Sequence, residues 1–168
     1  AAIAMALSEN FKAINILVLG SGNAEIESQL IHLLNSFKGN FNVFIGYNEE
    51  LAHLMYAGSD FLLMPSRVEP CGLNQMYAMR YGTIPMVRRT GGLRDTVIDF
   101  GDQGTGICFN QATIADICHS ITRAVTLYNH KKEFNSIIKK GMNINHSWEK
   151  VGNEYLGLYN LIINQNES

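Results

Sequence analysis

The chain has 168 residues, 46% of them apolar, and a formal net charge of −2. That size and composition suit one globular domain with a sizeable core, and they exclude a disordered or fibrous chain. A charge so near neutral, with no apolar run of membrane-spanning length, leaves nucleic acid and membrane out of the expected partners.

The opening AAIAMALSEN is apolar, but it has no positive leader and contains Ser8 and Glu9. It reads as the end of a helix, not as a signal peptide. INILVLG (14–20) reads as a buried strand. A helix follows over about 24–37, with Ile26, Leu30, Leu33, Leu34 and Phe37 on one side. FNVFIG (41–46) is a second strand and NEELAHLMYAG (48–58) a helix; DFLLMP (60–65) is a third strand, followed by a helix near 72–81. TIPMV (83–87) and GICF (106–109) are the fourth and fifth strands, and the chain is then helical to its end, with breaks near Asn129 and Gly141. Strands that alternate with crossover helices predict a Rossmann-like α/β domain, a parallel sheet with helices on both faces.

The whole chain, 1–168, is expected to form this single domain. Its last segment, over 147–164, carries Trp148, Val151, Tyr155, Leu158, Tyr159 and Ile162 at helical spacing. Such an aromatic-rich stripe packs into a core or covers a neighbouring domain. A chain that begins inside a helix, with no strand before it, is expected to be part of a larger enzyme. Three cysteines, Cys71, Cys108 and Cys118, have no metal-like spacing and suit a reducing cytoplasm.

In parallel α/β sheets ligands bind beyond the carboxyl ends of the strands, so the loops there are the places to search. Gly20-Ser21-Gly22-Asn23-Ala24-Glu25 resembles a dinucleotide fingerprint, but Glu25 stands where the third glycine belongs and would face a pyrophosphate. A plain strand-to-helix turn accounts for it. Gly46-Tyr47-Asn48 is either a turn with a surface tyrosine, or a backbone that approaches a ligand beside a ring that stacks on a base. Glu69-Pro70-Cys71-Gly72-Leu73-Asn74 opens a helix whose free N–H groups and dipole suit a diphosphate. Glu69 is then either a capping residue or an acceptor for the hydroxyls of a sugar on that diphosphate. Thr90-Gly91-Gly92 is a second backbone cradle or a tight turn.

Five of the six arginines (Arg67, Arg80, Arg88, Arg89 and Arg94) lie in this region. The plain account is a solvated basic face; beside glycine turns they suggest instead an anionic small molecule. Asp99-Phe100-Gly101 spells a kinase triplet without the loops that would make it one. The histidines have no ligand spacing and no Asp-x-Asp occurs, so no metal is expected.

PSRVEPCGLNQMYAMRYGTIPMVRRTGGLRDTV (65–97) closely resembles the signature of bacterial glycogen synthases and plant starch synthases, the family 5 retaining glycosyltransferases. The flanking ILVLGSG, FIGYNEELAHLMYAGSDFLLMPS and SWEKVGNEYLGLY extend the resemblance over nearly the whole chain. It implies the C-terminal half of a GT-B fold, with 147–164 a terminal crossover helix, binding ADP-glucose or UDP-glucose for elongation of an α-1,4-glucan.

By the same resemblance Tyr47 stacks on the base, with Gly46 letting the nucleotide lie close, and Glu69 holds the donor glucose. The backbone at Cys71, Gly72 and Leu73 binds the donor, and Asn74, where many members have threonine, reaches the distal phosphate. Tyr77 stands where related families have a second glutamate. The family's diphosphate-binding Arg and Lys lie just upstream of this chain, and its acceptor domain is not in it, so the chain alone is expected to be inactive. A sucrose- or trehalose-type synthase and a non-catalytic nucleotide-binding module are the other readings.

Overall fold

The computed structural model describes residues 2–10 and 14–166. Five parallel strands, β1 (Ile16–Gly20), β2 (Phe41–Ile45), β3 (Phe61–Met64), β4 (Ile84–Arg88) and β5 (Ile107–Phe109), alternate with helices. The helices are α1 (Ala2–Asn10), α2 (Ala24–Ser36), α3 (Glu49–Gly58), α4 (Asn74–Tyr81), α5 (Gly91–Thr96), α6 (Ile114–Asn129), α7 (Lys131–Met142) and α8 (Trp148–Asn166).

The α/β class read from the sequence is the one observed. The predicted breaks near Asn129 and Gly141 fall at the α6–α7 junction and at the last residues of α7. The short α5 was not foreseen, because TGGLRDT has the composition of a turn.

The core follows from the period of two along a strand. Phe61 and Leu63 of β3, Ile84 and Met86 of β4, and Ile107 and Phe109 of β5 point to one face, where α1, α6 and α7 close over them with Leu127, Phe134 and Ile137 among the buried side chains. Leu62, Met64, Val87 and Cys108 point to the other, against Met79 of α4 and Leu93 of α5. Each fully buried side chain of this size contributes about 1.5–3 kcal/mol. With both faces covered, β4 is central and almost entirely apolar.

The single sheet expected from the sequence is realised as two parallel ladders. One is β1–β2 and the other β3–β4–β5, and no backbone pairing joins them among the described residues. The smaller ladder has no closed core to lock it in register: neither α2 nor α3 contributes a fully buried side chain, and Leu17 and Phe44 remain exposed. A side-chain seam joins the two parts. His53 and Tyr56 of α3 pack against Tyr77 and Tyr81 of α4, His53 Nδ1 is hydrogen-bonded to Tyr81 Oη at 3.1 Å, and the Tyr56 and Tyr81 rings stack. Buried Thr83 adds to it, donating from Oγ1 to the carbonyls of Tyr56 and Ser59.

Candidate functional site

Parallel pairing puts the carboxyl ends of all five strands on one edge, and the glycine-bearing loops leave from there. The loop after β1 is closed by its own side chains. Asn23 Oδ1 accepts from the N–H groups of Glu25 and Ile26, and Glu27 takes the N–H of Gly22 at 2.7 Å. It is a capped turn, as the misplaced acid in the fingerprint implied.

At the end of β2, Gly46 has φ +140° and its N–H donates to the Gly20 carbonyl at 2.9 Å. Tyr47 follows with 86% of its surface exposed, its hydroxyl 3.4 Å from Glu49 Oε2. The ring stands free of the protein. Asn48 then caps α3 by accepting from the Leu51 N–H.

The loop after β3 carries Glu69, half-buried, with Oε2 accepting from Ser66 Oγ at 3.3 Å. Cys71, Leu73 and Asn74 are exposed, and Gly72 turns with φ +75° in the left-handed region that glycine favours. Here α4 differs from α2, α3 and α6. The N-termini of α2, α3 and α6 are closed by Asn23, Asn48 and Thr113, and each of these helices has acids in its first turn. The cap position of α4 is Leu73, which makes no side-chain bond, and no acid stands in its first turn. Four backbone donors at a helix start need acceptors. The positive end of α4 is therefore open to an anion.

The third glycine turn works from beneath. A methyl group on Gly91 would lie 2.0 Å from the Glu69 carbonyl oxygen, and one on Gly92 would lie 2.3 Å from that of Cys71. The Gly92 N–H donates to the carbonyls of Glu69 and Pro70, both at 3.2 Å. Thr90 makes no side-chain cap bond. Thr90, Gly91 and Gly92 thus support the Glu69–Gly72 loop from behind, backbone against backbone.

Gln75 is fully buried at the base of α4 and was missed in the sequence. A signal was there, since position 75 shares a helical face with buried Ala78 and Met79. Its Nε2 donates to the carbonyls of Gly72 (2.9 Å) and Cys71 (3.3 Å) and to Thr96 Oγ1 (3.0 Å). Its Oε1 has no partner, a state that costs about 1–3 kcal/mol. Thr96 Oγ1 in turn donates to the Gly92 carbonyl at 2.7 Å.

The arginines serve the scaffold more than the reading of an anion-binding cluster allowed. Arg88 donates from Nε to the Asn110 carbonyl and from Nη1 to those of Ser66 and Arg67, stapling the loops after β3 and β5 together. Arg80 donates to the Met142 carbonyl. Arg89 pairs with Asp102 at 3.7 Å and Arg94 with Asp95 at 3.9 Å.

Asp99 is likewise a structural residue. Its carboxylate accepts from Arg123 Nη2 (2.7 Å) and from the N–H groups of Cys108 (2.7 Å) and Gly101 (3.0 Å). Burial pushes its pKa up, but Arg123 and the two N–H groups outweigh burial and hold it below the usual aspartate value.

The structure thus brings Glu69, Cys71, Gly72, Leu73 and Asn74 into one loop over Thr90, Gly91 and Gly92, while Gly46 and Tyr47 sit on the smaller ladder. These residues form an open surface. The hollows elsewhere, one lined by His130, Lys131 and Glu133 and another by Phe100, His119 and Arg123, touch none of them.

The family profile described as "Glycosyl transferases group 1" matches residues 2–141. The chain is 73% identical over 164 residues to a glycogen synthase of Flavobacterium johnsoniae, covering 98% of this chain and 35% of that protein. It is 45% identical over 150 residues to one of Rhodospirillum rubrum, covering 88% and 31%. Among solved structures it resembles the catalytic domain of starch synthase IV from Arabidopsis thaliana bound to ADP and acarbose, with a TM-score of 0.82 at 32% identity, over 94% of this chain and 34% of that one. A sucrose-phosphate synthase from Thermosynechococcus elongatus, at 20% identity and a TM-score of 0.71 over 98% of this chain and 42% of that one, shares the fold. The chain spans about a third of the length of the curated relatives it matches.

Proposed function

The chain belongs to the group 1 glycosyl transferases, and from that membership we propose that it is the donor-binding half of a retaining glucosyltransferase that extends an α-1,4-glucan from ADP-glucose or UDP-glucose. The observation that carries this reading is the uncapped start of α4 at the end of the loop that carries Glu69. An anion site with a carboxylate at its mouth is poorly matched to phosphate alone. It suits a diphosphate that carries a sugar. The high identity to glycogen synthases and the likeness to a starch synthase bound to ADP and acarbose support the same donor and acceptor classes.

In this reading Tyr47 stacks on the base where Gly46 lets the nucleotide approach. The N–H groups of Cys71, Gly72 and Leu73 meet the diphosphate, and Asn74 donates its side-chain amide to the distal phosphate. Glu69 accepts hydroxyls of the glucose beside its anomeric carbon. The anomeric carbon's bond to the diphosphate oxygen breaks, and its bond to the acceptor 4-hydroxyl forms on the same face. The hydroxyl proton leaves with the departing diphosphate. Negative charge grows on the leaving oxygens, and preoriented donors there are each worth about 3–4 kcal/mol in a closed site. The sequence offers no metal motif, so the reading assigns that charge to N–H groups and cations of the protein. Further cations and the glucan site are assigned to the part of the relatives that this chain does not match.

The test is calorimetric titration of the chain with ADP and with UDP. Binding with a Kd on the order of 1 mM is expected, about −4 kcal/mol. No heat from either nucleotide at several times that concentration overturns the donor-site assignment. An assay with labelled donor and glycogen should show no transfer by the chain alone, and turnover would place a complete active site within it.

A further inference from the structure

A polar side chain enclosed in a core raises the question of what it holds. Gln75 is 0% exposed, and a methyl group on Gly72 would fall 2.7 Å from its Oε1, so the carboxamide fills the space directly beneath the Gly72 turn. Three acceptors surround its Nε2, and two of them are the consecutive carbonyls of Cys71 and Gly72.

Peptide planarity converts this into a statement about donors. In a trans peptide the C=O and the following N–H point in opposite directions, and no cis peptide occurs among the described residues. Drawing the carbonyls of Cys71 and Gly72 inward turns the N–H groups of Gly72 and Leu73 outward. Neither N–H has an acceptor among the described residues. Two adjacent N–H groups at the open start of a helix match the oxygens of one phosphate.

We infer that Gln75 is a positioning residue, which fixes the peptide planes 71–72 and 72–73 so that the Gly72 and Leu73 N–H groups face the phosphate of a bound nucleotide. The inference rests on the donor-site reading above. Gln75 touches no ligand itself. The chain from Nε2 through Thr96 Oγ1 to the Gly92 carbonyl carries the same constraint to the glycine turn beneath, so the phosphate-facing loop and its support are set by one side chain.

Gln75→Met keeps the volume and the helix preference but removes the donor. The chain with this substitution is expected to fold and to bind adenosine as the parent does, while its affinity for inorganic pyrophosphate falls about tenfold, the scale of one lost hydrogen bond. The amide resonances of Gly72 and Leu73 should move in the free protein. Gln75→Glu supplies a pH signature: its carboxylate at pH 8 cannot donate to carbonyls, whereas the neutral acid can. Measured against the parent at each pH, its pyrophosphate affinity should recover as pH falls towards about 5.

Equal losses for adenosine and pyrophosphate, or no loss for either, would reduce Gln75 to a packing residue. If the parent binds neither probe, the donor-site reading fails. The positioning claim is then decided by the free-protein resonances, and unmoved Gly72 and Leu73 amides in Gln75→Met overturn it. Should Gln75→Met not fold, Gln75→Glu at low and high pH gives the same comparison.

Discussion

Gly91 and Gly92 show how a residue can serve a site without facing it. Their missing side chains leave room for the backbone of Glu69 and Cys71, and any larger residue must push that loop outward. Gly92→Ala is expected to destabilise the chain by about 1–3 kcal/mol, the range for overpacking, and to weaken pyrophosphate binding; a thermal melt and a titration check both. Tyr47 is the opposite case, its ring exposed and only its hydroxyl bonded, to Glu49. Tyr47→Ala should leave the melting temperature unchanged but weaken ADP binding by about 1–3 kcal/mol, the worth of a base-stacking contact, with pyrophosphate unaffected. In the full-length protein, Glu69→Gln should lower turnover far more than nucleotide affinity, because the proposal assigns it to the sugar. Steady-state kinetics beside a binding isotherm separate the two.

The spacing of Glu69, Gly72 and the glycine pair was legible because turns and helix starts have local sequence signals. What Gln75 and Arg88 hold was not. Their partners are carbonyls reached from a helix base and a strand end, and carbonyl direction has no letter in the sequence.

The helices divide by how they begin. The crossover helices α2, α3 and α6 close their first turn with Asn or Thr and acids, whereas α4 leaves it open. Strand positions were readable from apolar runs, and the α6–α7 break from the loss of periodicity near Asn129. The segment from Asp99 to Thr105 was not readable, because its shape depends on a carboxylate that meets Arg123 from α6. That pair makes stability depend on pH. The folded Asp99 has a pKa below its unfolded value near 3.9. Its contribution is therefore complete above that value and is lost as pH falls through the lower folded one. Asp99→Asn should cost about 3 kcal/mol near neutral pH. The difference in stability from the parent should narrow below about pH 4, which denaturant titrations at several pH values would show.

Across the whole molecule, apolar surface is concentrated on α8. Trp148 is 86% exposed, and Tyr155, Leu156, Leu158, Tyr159 and Leu161 are exposed along the same helix. Patches of this kind drive association, so the chain should show concentration-dependent mass in sedimentation equilibrium, and a version ending at His146 should show less. The α/β class could be read from the alternation of strands and helices, but the division into two ladders could not. It depends on which strands pair and on how the smaller ladder is covered, not on any single element.

That division has a kinetic consequence. Under the proposed reading a nucleotide is a bivalent ligand, its base held by a residue of the β1–β2 unit and its phosphates by the start of α4. When one end lets go, the other keeps it close, at an effective concentration of roughly millimolar. Escape then requires both grips to fail within one interval, and the length of that interval depends on how stiffly the His53, Tyr56, Tyr77 and Tyr81 seam holds the two parts in register. Loosening the seam with Tyr81→Ala should raise the ADP dissociation rate measured by NMR exchange broadening, while adenosine and pyrophosphate, each a one-handed ligand, leave as fast as before.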